Sequence, residues 1–168
     1  MPRRRVLYAG CGWDHLPPFF GDDAEEVRLD IDPGMDPDIV ASILDLGEIG
    51  PYDAVYSFHT LEHVYPHEVG TALREFRRVL TEDGFALIVV PDLEDLTITD
   101  KVLYDSPAGP ITALSMFYGH GPMIEYSIHM AHHTGFTSKL LHDALIEAGF
   151  TAVIVKRVDF NIMAVATR

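Results

Sequence analysis

Apolar positions fall in short runs separated by mixed stretches. The first run, Val6-Leu7-Tyr8-Ala9, ends in Gly10-Cys11-Gly12. The second, Val27-Arg28-Leu29-Asp30-Ile31, is stopped by Pro33, a weaker third covers residues 39–44, and a fourth covers 52–58. The fifth, Phe85-Ala86-Leu87-Ile88-Val89-Val90, is apolar without interruption, which suits a strand covered on both faces of a parallel sheet. Between the fourth and fifth runs Val69, Ala72, Leu73, Phe76, Val79 and Leu80 follow the 3.6-residue period, so a helix is predicted from Pro66 to just before Gly84. A second helix is predicted over 137–148, capped by Thr137 or Ser138 and stopped by Gly149. Residues 152–158 and 160–166, split by Asp159, read as a closing antiparallel hairpin.

Strands alternating with helices predict one domain over residues 1–168, an open α/β sheet with right-handed crossovers. Ligands in such sheets bind beyond the carboxyl ends of the strands. Residues 92–136 break the pattern with Pro107, Gly109, Pro110, Gly119, Gly121, Pro122 and Gly135. A stretch of that length in a compact domain predicts a lid or acceptor-site insertion, with Met116-Phe117-Tyr118 and Met123 packed over a ligand. A flap that forms a homodimer is the alternative.

Charge narrows the partners. Twelve Lys and Arg against 26 Asp and Glu leave a formal charge of −14, which excludes a general nucleic-acid binder because phosphate repels it. No apolar run approaches the ~20 residues that a membrane helix needs. The single cysteine, Cys11, cannot form an internal disulfide, and the basic start over residues 1–5 is not followed by an unbroken apolar stretch. A cytoplasmic protein without a signal peptide is the expectation. From Val6 to Leu73 there is one basic residue, Arg28, among fourteen acids. That bias fits either a solvated face or a site for a cationic ligand.

The strand ends carry the candidate chemistry. Gly10 and Gly12 permit a tight turn and close approach of a ligand. Asp30 lies eighteen residues beyond Gly12, at the tip of the second strand, where an acid can accept both hydroxyls of a ribose. Asp45, after the third run, either bonds an exocyclic amine or caps a turn. His59-Thr60-Leu61-Glu62-His63 matches the H-x-x-E-H pattern of inverted zinc proteases. That chemistry needs both histidines on one face of a regular helix, and His59 ends a strand pattern, so no metal is expected there. Five of the nine histidines fall between His120 and His142. His120, flanked by Gly119 and Gly121, is the first candidate general base and His133 the second. Bonds to backbone groups or a metal cluster are the other uses of such a group.

Together these segments resemble the class I S-adenosylmethionine-dependent methyltransferases, within them the short methyltransferase type 11-like group often associated with surface glycans. Arg74-Glu75-Phe76-Arg77-Arg78-Val79-Leu80, Gly84 through Asp92, and Gly135-Phe136-Thr137 leading to Glu147-Ala148-Gly149-Phe150 extend the likeness over almost the whole chain. The resemblance implies a Rossmann-like doubly wound sheet of order 3-2-1-4-5-7-6 with strand seven antiparallel. It implies S-adenosylmethionine as cofactor and methyl transfer to an O or N acceptor on a small molecule or glycan precursor. It places Ala9, Gly10, Cys11 and Gly12 along the methionine and ribose, Asp30 at the ribose hydroxyls and Ile31 against adenine. Asp45 and Leu46 fall at the adenine edge, and Phe58 and His59 beside the sulfonium, where His59 joins His120 and His133 as a candidate catalytic residue. Two positions depart from the family pattern: Tyr8 stands where an acid is usual, and Asp14 replaces a third glycine. A cofactor-binding partner protein without catalysis is therefore the second reading. A short first crossover, its helix truncated by Pro17-Pro18, is also expected.

Overall fold

The computed structural model describes residues 3–168; Met1 and Pro2, part of the basic start, lie outside them. Seven strands form the main sheet: β1 (Arg5–Ala9), β2 (Glu25–Asp30), β3 (Ile39–Val40), β4 (Tyr52–Phe58), β5 (Leu80–Pro91), β8 (Ala152–Val158) and β9 (Asn161–Thr167). A separate hairpin joins β6 (Val102–Ser106) to β7 (Gly109–Thr112). The main order is β3-β2-β1-β4-β5-β9-β8, with β1 to β5 parallel and β9 antiparallel to both neighbours. This is the expected doubly wound order, the last two strands of the chain being exchanged in space.

Alternation along each strand divides the core in two. Leu7, Ala9, Val55, Ala86, Ile88, Ile162 and Ala164 point to one face, where α1 (Val69–Arg78) and α4 (Ser138–Glu147) lie. Helix α1 buries Val69, Ala72, Leu73 and Phe76, and α4 buries Leu141 and Leu145. Thr137 caps α4 by accepting the Leu140 N–H. Val6, Tyr8, Ala54, Tyr56, Leu87 and Val89 point to the opposite face. There the first crossover is a single 3-10 turn, Pro18–Phe20, which lays Phe20 on the sheet with Leu16 and Ala24 beside it.

Several boundaries differ from the periodicity. The third run forms only two strand residues, because the Ser42 hydroxyl accepts the Leu44 N–H and the chain turns back, bridging Ser42 to Asp45. Helix α1 stops at Arg78, and β5 begins at Leu80 against Tyr52 before its register shifts and pairing resumes at Phe85. Gly84 therefore lies within β5 and does not end the helix. The closing hairpin turns on two residues, Asp159 and Phe160, with Val158 paired to Asn161. Residues 92–136 are not one loop: the β6–β7 hairpin is followed by α2 (Ala113–Tyr118), α3 (Gly121–Tyr126) and a 3-10 turn, Ile128–Met130. Thr112 and Ser115 form a reciprocal cap at the start of α2.

Candidate active site

The carboxyl ends of β1, β2 and β4 surround a cleft of about 330 Å³. Its floor is the turn after β1. Gly10 and Cys11 both donate their N–H to the Leu29 carbonyl at 2.8 and 3.0 Å, which folds the chain back over β2. Gly10 has φ +72°, and a Cβ there would lie 2.2 Å from Cγ2 of Thr60. Gly12 has φ +50° and faces open space, with nothing within 4 Å of where a Cβ would stand. Asp30 fixes the turn: one carboxylate oxygen accepts the Gly12 N–H at 2.8 Å and the other accepts the Asp32 N–H at 2.9 Å. Arg28, the lone cation of the acidic half, donates to the Gly12 carbonyl at 2.7 Å and to those of Met35 and Asp36. It ties the turn after β1 to the turn after β2.

Of the residues expected around a cofactor, Gly10, Cys11, Gly12, Asp30, Ile31, Phe58 and His59 line the cleft. Ala9, Asp45 and Leu46 do not. Ala9 is buried in β1. Asp45 accepts the Gly47 N–H, and Leu46 is buried in the core with its own N–H held by Glu75 of α1 at 2.9 Å. Arg78 grips the Gly47 carbonyl in the same way, so the end of α1 draws residues 46–47 away from the cleft. Ser42 and Ile43 line it in their place. Tyr8 and Asp14, the two departures, also line the cleft. Burial first, then the neighbouring Tyr56 and Asp14, pushes the Tyr8 hydroxyl far above its ordinary pKa. Burial likewise pushes the Cys11 thiol up to about 11, with Arg28 opposing and Asp30 assisting.

Met123, Tyr126, His129 and Met130, from α3 and the turn after it, close the cleft from the side of residues 92–136. Met123 was expected in this cover; the sequence missed Tyr126, His129 and Met130, and also Trp13, Met35 and Thr60. Beneath this cover a second cavity of about 140 Å³ adjoins the cleft, sharing His59, His63, Met123 and Met130 with it.

Histidines gather at this junction. His59 has φ +50°, unusual for a side chain with a Cβ, and both its ring nitrogens are engaged. Nδ1 lies 3.3 Å from Oε1 of Glu62, and Nε2 lies 2.8 Å from Oδ1 of Asn161. Burial would lower the His59 pKa, but Glu62 and then Asn161 outweigh it and raise the value. Glu62 is 1% exposed. Burial opposes its charge, and His59, His63 and His132 outweigh burial and hold its carboxyl below the usual range. His132 is lowered by burial, against the opposing charge of Glu62. His120 lines the second cavity only, with Nε2 3.0 Å from the Ala108 carbonyl. His133 lines neither cavity: it is exposed and stacks on Tyr65 at 4.3 Å.

Residues 7–88 match the family model described as "Methyltransferase domain". Solved structures share the architecture over 98% of this chain. A Burkholderia thailandensis 1,6-didemethyltoxoflavin-N1-methyltransferase, bound to 1,6-didemethyltoxoflavin and S-adenosylhomocysteine, is 18% identical, with a TM-score of 0.64 and 71% of its own chain covered. The chain is similar to a methyltransferase domain over residues 7–88, and its sheet order is that of the class I fold. An S-adenosylmethionine-dependent methyltransferase of Mesorhizobium loti has 17% identity, a TM-score of 0.67 and 90% of its chain covered. One from Archaeoglobus fulgidus has 16% identity, a TM-score of 0.65 and 86% covered. At these identities the likeness is one of fold. The domain spans 50% to 61% of three further matched structures, which are longer. No curated protein matches it in sequence. Among the described residues no helix of the domain is long and apolar enough to cross a membrane.

Proposed function

We propose that this domain binds S-adenosylmethionine in the cleft beyond β1 and β2 and transfers its methyl group to an O or N atom of a small molecule or glycan precursor. The observation that supports this most is the turn of Gly10 to Gly12, open at Gly12 and held by Asp30. A methionine moiety can lie along a backbone with no Cβ in the way, and a strand-end carboxylate has lone pairs left for ribose hydroxyls. When bound, the cofactor supplies a methyl group activated by a sulfonium. The chain supplies orientation and exclusion of water. Ser42 and Ile43 meet the adenine end, and Phe58 and His59 stand toward the sulfonium. Met123, Tyr126, His129 and Met130 form the cover. The acceptor enters the second cavity, whose size suits a small group. Of the three histidines expected as bases, His59 is the one that borders both spaces; His120 contacts the acceptor end only, and His133 neither.

Titration calorimetry with S-adenosylhomocysteine tests the reading. Asp30→Ala is expected to weaken binding by about 1–3 kcal/mol, the scale of lost bonds to a charged group. Unchanged affinity would remove Asp30 from the site, and binding of NAD in place of S-adenosylhomocysteine would remove the reading itself. Formation of methylated product separates an enzyme from a binding partner without catalysis.

A further inference from the structure

The H-x-x-E-H segment does not fold as one helix. His59 ends β4, while Leu61–His63 form a 3-10 turn that aims Glu62 and His63 toward the second cavity. A third group reaches the same point from sixty-nine residues downstream, His132, just beyond the 3-10 turn Ile128–Met130. One ligand atom from each of Glu62, His63 and His132 lies within 4.8 Å of the others.

Three features set this trio apart from an ordinary buried ion pair. Both carboxylate oxygens of Glu62 are buried without a well-aligned hydrogen-bond donor; the nearest ring nitrogen is Nδ1 of His59, 3.3 Å from Oε1. An acceptor-only group left unbonded in the interior costs folding energy, so its retention calls for a counter-charge. The two histidines are already oriented. His63 Nδ1 lies 3.1 Å from the Ala131 carbonyl and His132 Nδ1 lies 2.9 Å from the Met116 carbonyl. A carbonyl only accepts, so each Nδ1 carries the proton and each Nε2 presents a lone pair. Histidine ligands of metal ions are held in this way by their second nitrogen. Finally, the cavity gives an ion an open side, bordered by Tyr104, Ser115 and the thioethers of Met116 and Met130.

We propose that Glu62, His63 and His132 bind one divalent transition-metal ion, zinc fitting best, with its open position facing the acceptor cavity. Two imidazoles and one carboxylate with a vacant fourth position suit zinc. Tetrahedral ligand atoms stand about 3.4 Å apart at normal zinc distances, so modest side-chain rotation closes the trio onto the ion. The ion neutralises Glu62 and offers a binding point to an oxygen or nitrogen of the acceptor. This last part rests on the methyltransferase reading; the metal site does not.

The test uses the purified chain, stripped by chelator and titrated with Zn²⁺ and with Co²⁺. One ion per chain is expected, with the visible absorption of low-coordinate cobalt. His63→Ala and His132→Ala should each lower affinity by about 100-fold or more, since loss of a ligand exceeds loss of a supporting bond, while His142→Ala on α4 changes it by less than about threefold. Thermal melts of the apo proteins establish that the variants fold. If Glu62→Gln does not fold, the two histidine variants decide the matter. Failure of the wild-type chain to bind either ion, or binding undiminished in His132→Ala, overturns the site. Calorimetry with S-adenosylhomocysteine on the apo protein keeps the two proposals apart: loss of that binding with metal binding intact sinks the methyltransferase reading alone.

Discussion

One face of the sheet is closed by α1 and α4, whereas the other is closed by the segment of residues 13–24, which forms a single 3-10 turn. On the first face, apolar side chains of the strands meet apolar stripes of helices, and Leu73, Phe76, Leu141 and Leu145 are fully buried. On the second, Phe20, Leu16 and Ala24 cover the middle strands, while Ile154 and Val165 of the outer strands stay exposed. The helical face holds the domain together. The thin face carries Cys11 and Tyr8, which also line the cleft, so the thin cover and the cleft share these residues.

The contrast breaks or sharpens under substitution. Phe76→Ala should cost about 3–5 kcal/mol in urea unfolding, the range for a fully buried aromatic side chain. Phe20→Ala should cost about 2 kcal/mol, because an irregular segment collapses into the space more readily than a helix does. Equal losses at the two sites would show that both faces contribute alike. A third effect depends on pH. The folded Cys11 thiol, at about 11 against an ordinary 9.0, keeps its proton longer than in the unfolded chain. Its contribution is thus constant below pH 9 and is lost as pH rises from 9 toward 11. About 1 kcal/mol should disappear at pH 10 in the wild type and not in Cys11→Ala. A fall of equal size in both proteins would assign it to other groups. Ile154→Thr, at a side chain 62% exposed, should change stability by less than about 0.5 kcal/mol. A larger loss would show that the thin face is better covered in solution than the structure shows.

What the chain reveals by pattern follows the same division. The stripe of Val69, Ala72, Leu73 and Phe76 and the unbroken run of β5 are local signals of burial, and the helical face was legible from them. The turn at Gly10 to Gly12 and the acid at Asp30 were legible because strand end and spacing agree. Asp45 and Leu46 stand away from the cleft because the third strand is only two residues long, and a contact from Glu75, distant in sequence, sets which way residue 46 turns. The hairpin of β6 and β7 was hidden by Pro107, Gly109 and Pro110, which read as breakers but form its turn and the first residues of β7. The meeting of His132 with Glu62 depends on how α2 and α3 fold over the strand ends, and no local pattern encodes it. The place of His63 in H-x-x-E-H was visible along the chain; its approach to His132 was not.

Thr60 joins two stretches that look independent along the chain. Its hydroxyl lies 3.2 to 3.3 Å from the carbonyls of Ala9, Gly10 and Phe58, and its methyl fills the space a side chain at position 10 would need. Position 10 is barred to other residues twice, by this neighbour and by a torsion that only glycine adopts freely. Trimming Thr60 would lift the first bar and leave the second. The turn of Gly10 to Gly12 and the turn bearing Glu62 and His63 are consequently one mechanical unit: a displacement of either is passed to the other through Thr60.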